Sequence, residues 1–315
     1  MKLNITIPSD KPFDAVGLGL NAVDNLIIVP AFPEKNTKSP LNDVVVTGGG
    51  QIANAFSFLA RVGLKVKYLG KFGDDANGFF SAKTLETEGV DISDAVFETD
   101  CTNQFAYIIV DESAGERTIM WHRHPKLNFN PGDFTKEAVT SGKILHLDGH
   151  EVPFSIQAAK WAREENIPVL VDAERLKEGT PELLHLADVL IADEHFCKLL
   201  CPGMDYDQIL HIMQERFNPR FCAVTLGEKG SLGLFNDELI HIPAYSVPVL
   251  DTTGCGDVYH AGFVYGMLKE WDIPDIMRFS SAAAALKCRK YGGRLGAPTL
   301  DEIEKFMEKN EPVIR

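Results

Sequence analysis

Residues 251–263 read DTTGCGDVYHAGF, two glycines around a cysteine with an aspartate directly after them. Gly254 and Gly256 permit a tight turn and a close backbone approach, and a helix starting there leaves its first amides unpaired. Such amides, reinforced by the helix dipole, make an anion site. Asp257 beside it could take a proton from an alcohol while the backbone of Gly254, Cys255 and Gly256 stabilises a transferring phosphoryl group. The same aspartate could equally cap the helix. These residues alone leave both readings open.

Three further turns bear on the choice. TGGGQIAN (47–54) is a second glycine-rich strand-to-helix turn and ends at Asn54. GLGLNAVDNL places Asn21 and Asp24 just after a first strand, and TLGEKGSLG supplies Thr225, Gly227 and Gly230. Several such turns at strand ends, each with a polar side chain, point to a site, because open α/β sheets bind ligands there.

The elements that must position these residues alternate along the chain, which predicts a parallel sheet covered by helices. FDAVGLGL (13–20) reads as a buried strand and GQIANAFSFLARVG (50–63) as a helix closed by glycine; VKYLGKFG is the next strand and NGFFSAKTLETEG (77–89) the next helix. LIIVPAFP and DVVVTGG break this rhythm, as does QFAYIIVDESAGERTIMWH (104–122), a hairpin with SAGE as its turn. Together they predict a small separate sheet. The rhythm resumes through KILHLDG, PVLVDAE, VLIAD and FCAVTLG, followed by the pair SLGLFN and LIHIPA and a helical C-terminal part over 254–310.

The 315 residues suffice for a large core, and 45% apolar with 24% charged residues is ordinary for a globular protein. A net charge of −14 argues against a nucleic-acid or anionic-membrane binder. With no apolar run of spanning length and no signal-peptide core in MKLNITIPSDKPFD, the expectation is a cytoplasmic protein. None of the six cysteines forms a CxxC pair. His195, Cys197 and Cys201 in HFCKLLC could ligate a metal, but buried thiols on a helix are the plainer reading.

DTTGCGDVYHAGF resembles the DTxGAGD signature of the ribokinase/PfkB sugar kinases, and TGGGQIANAF resembles their GGxxxN signature. The resemblance spans the chain and implies a Rossmann-like α/β fold, a single domain over 1–315 with a β lid from about 16–47 and 99–125. It implies Asp257 as catalytic base and the backbone of Gly254, Cys255 and Gly256 as anion hole, with Cys255 replacing the usual alanine. Asn21, Asp24, Gly49, Gly50 and Asn54 fall on the sugar pocket. Thr225, Gly227 and Gly230 fall on the ATP side, and Asp251 with the Thr253 carbonyl on a monovalent-cation (K⁺) loop completed by KYGGRLGAP (290–298).

One departure concerns Mg²⁺. The family's NxxE is replaced by ADEHF, with Asp193 at the Asn position and Phe196 at the Glu position. Either Asp193 or Glu194 substitutes near the phosphates, or this stretch is a solvated helix N-cap and Mg²⁺ is held mostly by the ATP phosphates and water. VDAER resembles the DxNxR of fructokinases, which puts Arg175 near the phosphates, and TIMWHRHPKLN resembles their FYRxP segment, which makes Arg123 a substrate contact. KILHLDG and GERTI are similar to ketohexokinases, and ALKCRKYGGRLGAP to sulfofructose kinase. The implied activity is transfer of phosphate from ATP to a ketohexose or related furanose, by a homodimer joined through its lids. A nucleoside kinase of the same superfamily and a non-catalytic sugar-binding sensor are the alternatives.

Overall fold

Continuous apolar runs such as VLVDA and VLIAD have no polar face to offer water, so they form strands covered on both sides. In the computed structural model, which describes residues 1–113 and 116–310, eight strands make one large sheet. Its order is Val66–Leu69, Ala15–Leu18, Leu145–Leu147, Val169–Ala173, Val189–Asp193, Phe221–Thr225, Ser231–Phe235 and Glu238–Ile242. The first six run parallel, as the alternating pattern predicts; the last two, SLGLF and ELIHI, add as an antiparallel edge. Apolar side chains pack on both faces. Ile52, Phe56, Val258, Phe263 and Ile276 belong to one cluster, and Ala158, Ala162, Leu210 and Met213 to the other.

The first two long helices stop at the expected glycines, Gln51–Arg61 just before Gly63 (φ 92°) and Ala76–Glu88 at Gly89. Helix Ala76–Glu88 starts on an Asp75 side chain that accepts the Gly78 N–H and ends at Gly89 in the left-handed region. VKYLGKFG, expected as one strand, is two. Val66–Leu69 lies in the large sheet, and Lys71–Gly73 pairs with Val96–Glu98. The break falls at Gly70, where a β-carbon would meet the Tyr68 hydroxyl at 1.9 Å.

A second, four-stranded sheet has the order Asp43–Gly49, Ala22–Val29, Phe105–Asp111, Glu116–His122. This is the predicted lid with shifted bounds: residues 16–18 lie inside the large sheet, lid pairing starts at Ala22 and runs to Gly49, and it starts again at Phe105. An apolar first strand and an apolar lid strand look alike in sequence, which is why the boundary ran early. The hairpin strands pair as expected, while residues 114 and 115 of the SAGE turn lie outside the described residues. Among the described residues no helix is long and apolar enough to cross a membrane.

Candidate active site

Helix Cys255–Leu268 begins at Gly254, whose φ of 79° is left-handed. A β-carbon there would stand 2.6 Å from the Gly293 α-carbon, so only glycine fits. The cap residue is therefore Gly254, and Asp257 sits in the first turn. Its Oδ2 accepts a hydrogen bond from Asn54 Nδ2 at 2.8 Å. Burial pushes the Asp257 carboxyl well above the ordinary range; the Asn54 bond opposes this, and the nearby Asp172 carboxylate adds to it. The two sequence signatures thus meet in one contact across 203 residues. The Cys255 N–H makes a long 3.3 Å turn bond to the Thr252 carbonyl.

Behind this pair lies a floor of buried polar groups. The Asp24 carboxylate lies so close to Gly49 that a β-carbon on Gly49 would stand 2.1 Å from it. Asp24 is 6% exposed, and burial raises its pKa to about 6. Gly50 turns the chain into helix Gln51–Arg61 with φ of 90°. Asn21 spends its amide on the Tyr68 hydroxyl (3.0 Å) and the Lys71 carbonyl (2.7 Å), leaving its Oδ1 without a partner, as is the Asn54 Oδ1. Two unpaired buried acceptors suit a ligand bearing hydroxyls.

On the other side of Gly256 opens a cavity of about 330 Å³ lined by Thr225, Gly227, Gly230, Thr252, Cys255 and Tyr259 among others. Gly230 has φ of 93°, and a β-carbon would come within 2.0 Å of the Ile242 carbonyl. The predicted ATP-side turn and the anion-hole turn therefore share one cavity. A second space of about 440 Å³ separates the lid residues Val110, Arg117 and Ile119 from Val249–Thr252. Arg117 crosses it to hydrogen-bond the Thr252 hydroxyl.

The remaining candidates divide. Arg123 donates to Glu151 Oε1 (2.7 Å), the Leu127 carbonyl (2.6 Å) and Gln104 Oε1 (3.1 Å), so it braces the site's rim. Arg175 is a half-exposed side chain in a surface ion pair. It lies 3.8 Å from Glu174 and 5.8 Å from the Trp121 ring on the lid's inner face. Asp193 is a helix cap, accepting the Phe196 N–H at 2.6 Å. Burial raises its pKa, and the neighbouring Glu174 carboxylate adds to the rise. Around HFCKLLC, burial pushes the Cys197 thiol up to about 12, and no cluster of three or more metal-ligating side chains occurs among the described residues.

The predicted cation loop is closed by hydrogen bonds. Asp251 Oδ1 accepts the Thr253 N–H at 2.8 Å and Oδ2 the Gly292 N–H at 2.7 Å, joining the two predicted halves. The Lys287 ammonium lies against the same aspartate, 2.8 Å from its carbonyl and 3.5 Å from Oδ2. A positive charge therefore already stands beside the predicted cation loop. Sequence reasoning also left Arg294 unassigned, although KYGGRLGAP contains it. Its guanidinium, 2% exposed as a residue, donates to the Gly49 carbonyl (2.7 Å) and Ser81 carbonyl (3.0 Å) beneath the floor. The buried pair of His260 Nδ1 and Asp172 Oδ2, 2.9 Å apart under Asp257, was likewise unassigned.

Comparison with known proteins agrees with this geometry. Residues 19–300 match the pfkB family of carbohydrate kinases. The chain is 25% identical over 297 residues to a nucleoside kinase of Methanothermobacter thermautotrophicus, covering 93% of this chain and 94% of that one. It is 26% identical over 290 residues to an ATP-dependent ribose-1-phosphate kinase of Halopiger xanaduensis, covering 91% and 95%. The crystal structure of the Thermotoga maritima ribokinase superposes with a TM-score of 0.82 at 21% identity, covering 94% of this chain and 100% of that one. With both signatures brought into contact and the match running over nearly its whole length, the chain belongs to the pfkB family of carbohydrate kinases and is an ATP-dependent kinase.

Proposed function

We propose that this kinase phosphorylates a hydroxyl of a ketohexose or closely related furanose, with Asp257 as the base. The observation that carries the reading is the Asn54–Asp257 hydrogen bond, set between the polar floor around Asp24 and the cavity under Gly227 and Gly230. A sugar lying on that floor would present one hydroxyl to Asp257. The carboxylate accepts its proton as the oxygen attacks the γ-phosphorus, and ADP leaves. Asn54 fixes the carboxylate's orientation, and its raised pKa brings the base closer to neutrality. The helix N-terminus at Gly254–Gly256 stabilises the charge on the transferring group.

Mg²⁺ would ride on the ATP phosphates, keeping most of its waters and taking one or two carboxylates. Glu174, held by Gln51 at 2.8 Å, and the Asp193 oxygen not used in capping are the acidic groups that fit. The ion would neutralise phosphate charge.

A nucleoside acceptor is the second reading. Trp121 is 57% exposed on the lid's inner face, where a base could stack, and one relative is named a nucleoside kinase. The lid's outer face supports a homodimer: Val44, Val46, Tyr107 and Met120 are exposed there, and an apolar sheet face with free edges is ordinarily covered.

ADP release across a panel of ketohexoses, furanoses and nucleosides tests the proposal. Turnover with a ketose or furanose, falling about 10²- to 10⁴-fold in Asp257→Asn with ATP binding intact, is expected. Preference for nucleosides would select the second reading. A thermal shift with a sugar but no turnover by any acceptor would make the protein a sensor.

A further inference from the structure

We infer that Lys287 is a built-in counter-ion that holds the anion-hole loop in place of a monovalent metal ion, so that the enzyme works without K⁺. The side chain is fully buried at the end of helix Ile273–Lys287. An ammonium carries three N–H donors. Three oxygens converge on this one: the Asp251 carbonyl at 2.8 Å, the Lys290 carbonyl at 3.3 Å and, more distantly, Asp251 Oδ2 at 3.5 Å. Two backbone carbonyls and a carboxylate around one positive centre form a cation cage, and here the cation is covalently attached. A free cation entering the same cage would meet the ammonium's charge and its atoms.

The cage is wired to the reacting groups. The Asp251 side chain is 1% exposed, and its two oxygens order Thr253 on one loop and Gly292 on the other. Thr253 precedes the Gly254 cap. Gly293 packs against Gly254, and a β-carbon on it would stand 2.5 Å from Asn54 Nδ2, the atom that holds Asp257. The packing is tight enough that a β-carbon on Gly296 would touch the Lys287 stem at 3.0 Å. Removing the ammonium would leave Asp251 as an uncompensated buried charge. The loops it orders would then lose their register with Asn54. Lys287 thus acts as a positioning residue.

The inference rests on the kinase reading for its activity arm only. Wild-type protein in tetramethylammonium buffer is titrated with KCl at constant ionic strength, following the melting temperature and, with the best acceptor from the panel, kcat. Both should stay flat; a saturable rise of either with K⁺ overturns the inference. Lys287→Met keeps the stem and removes the charge. Its kcat should fall on the order of 10- to 100-fold while the sugar KM stays within about two-fold. Its melting temperature should also drop, and K⁺ or methylammonium should restore both. Wild-type behaviour of Lys287→Met without K⁺, or a loss that no small cation restores, overturns the inference. If Lys287→Met does not fold, the wild-type titration decides alone. Absence of turnover by the wild type in every buffer would refute the kinase reading instead, with the melting curves still judging Lys287.

Discussion

Asp24, in the proposed sugar pocket, illustrates how a buried carboxylate is kept at the expense of the fold. Its carboxyl is buried and its pKa is raised to about 6, above the ordinary value of 3.8, chiefly by desolvation. A raised carboxyl pKa means the folded chain holds the proton more tightly than the unfolded one. The associated stability is fully present below the unfolded pKa and is lost as pH rises through 6. At about 1.4 kcal/mol per pKa unit, ionised Asp24 costs the fold on the order of 2–3 kcal/mol at neutral pH. Asp24→Asn should therefore raise the melting temperature at pH 7.5, with the gain vanishing toward pH 4, while the sugar KM rises. Calorimetry at the two pH values and saturation kinetics check this; a lower melting temperature at pH 7.5 with an unchanged KM would remove Asp24 from both roles. The sequence singled out Asp257 through the glycines before it, and Asp24 through its place after the first strand and the family resemblance. Gly49, which no side chain could replace without striking Asp24, and Gly254 report tight backbone as plainly as a contact. Lys287 and Arg294 carried no such mark: a basic residue near a glycine-rich turn looks solvated until the fold buries it.

Three elements, the turn before helix Cys255–Leu268, the start of helix Gln51–Arg61 and the 292–296 loop, form one block. Gly293 is its shared contact. Gly293→Ala needs no unusual backbone angle, but its methyl group would displace the Asn54 amide. Since misplacing a catalytic group by about 1 Å can cost on the order of 10²-fold, kcat should fall by that order while far-UV circular dichroism stays native. Unchanged kcat would uncouple this loop from the base. The same scale explains where sequence reasoning lost precision. Strand and helix identities followed from apolar spacing and glycine stops. The lid's true start at Ala22, the split at Gly70 and the antiparallel edge after Phe221–Thr225 depend on which strands pair, and pairing is a long-range choice that local pattern does not encode. Asp193 is similar: its type and position suited metal or cap, and the 2.6 Å bond to the Phe196 amide decides only that it caps.

At the scale of the molecule, the lid's outer face makes a prediction of its own. Met120 pairs across the hairpin with Tyr107, both exposed. Met120→Asp would put a charge amid that surface, and light scattering should show a dimer in the wild type becoming a monomer in the variant. A wild-type monomer would refute the dimer. The whole-chain view also carries a consequence for synthesis. Asn54 and Asp257 are separated by 203 positions, and the Arg294–Gly49 bond by 245. A nascent chain that has not yet reached Cys255 already holds every strand of the lid and of the large sheet, yet it lacks Asp257, the proposed base, the N-terminus of helix Cys255–Leu268 and Arg294 beneath its floor. Competence therefore arrives with the final segment, through contacts of high sequence separation that form late and slowly.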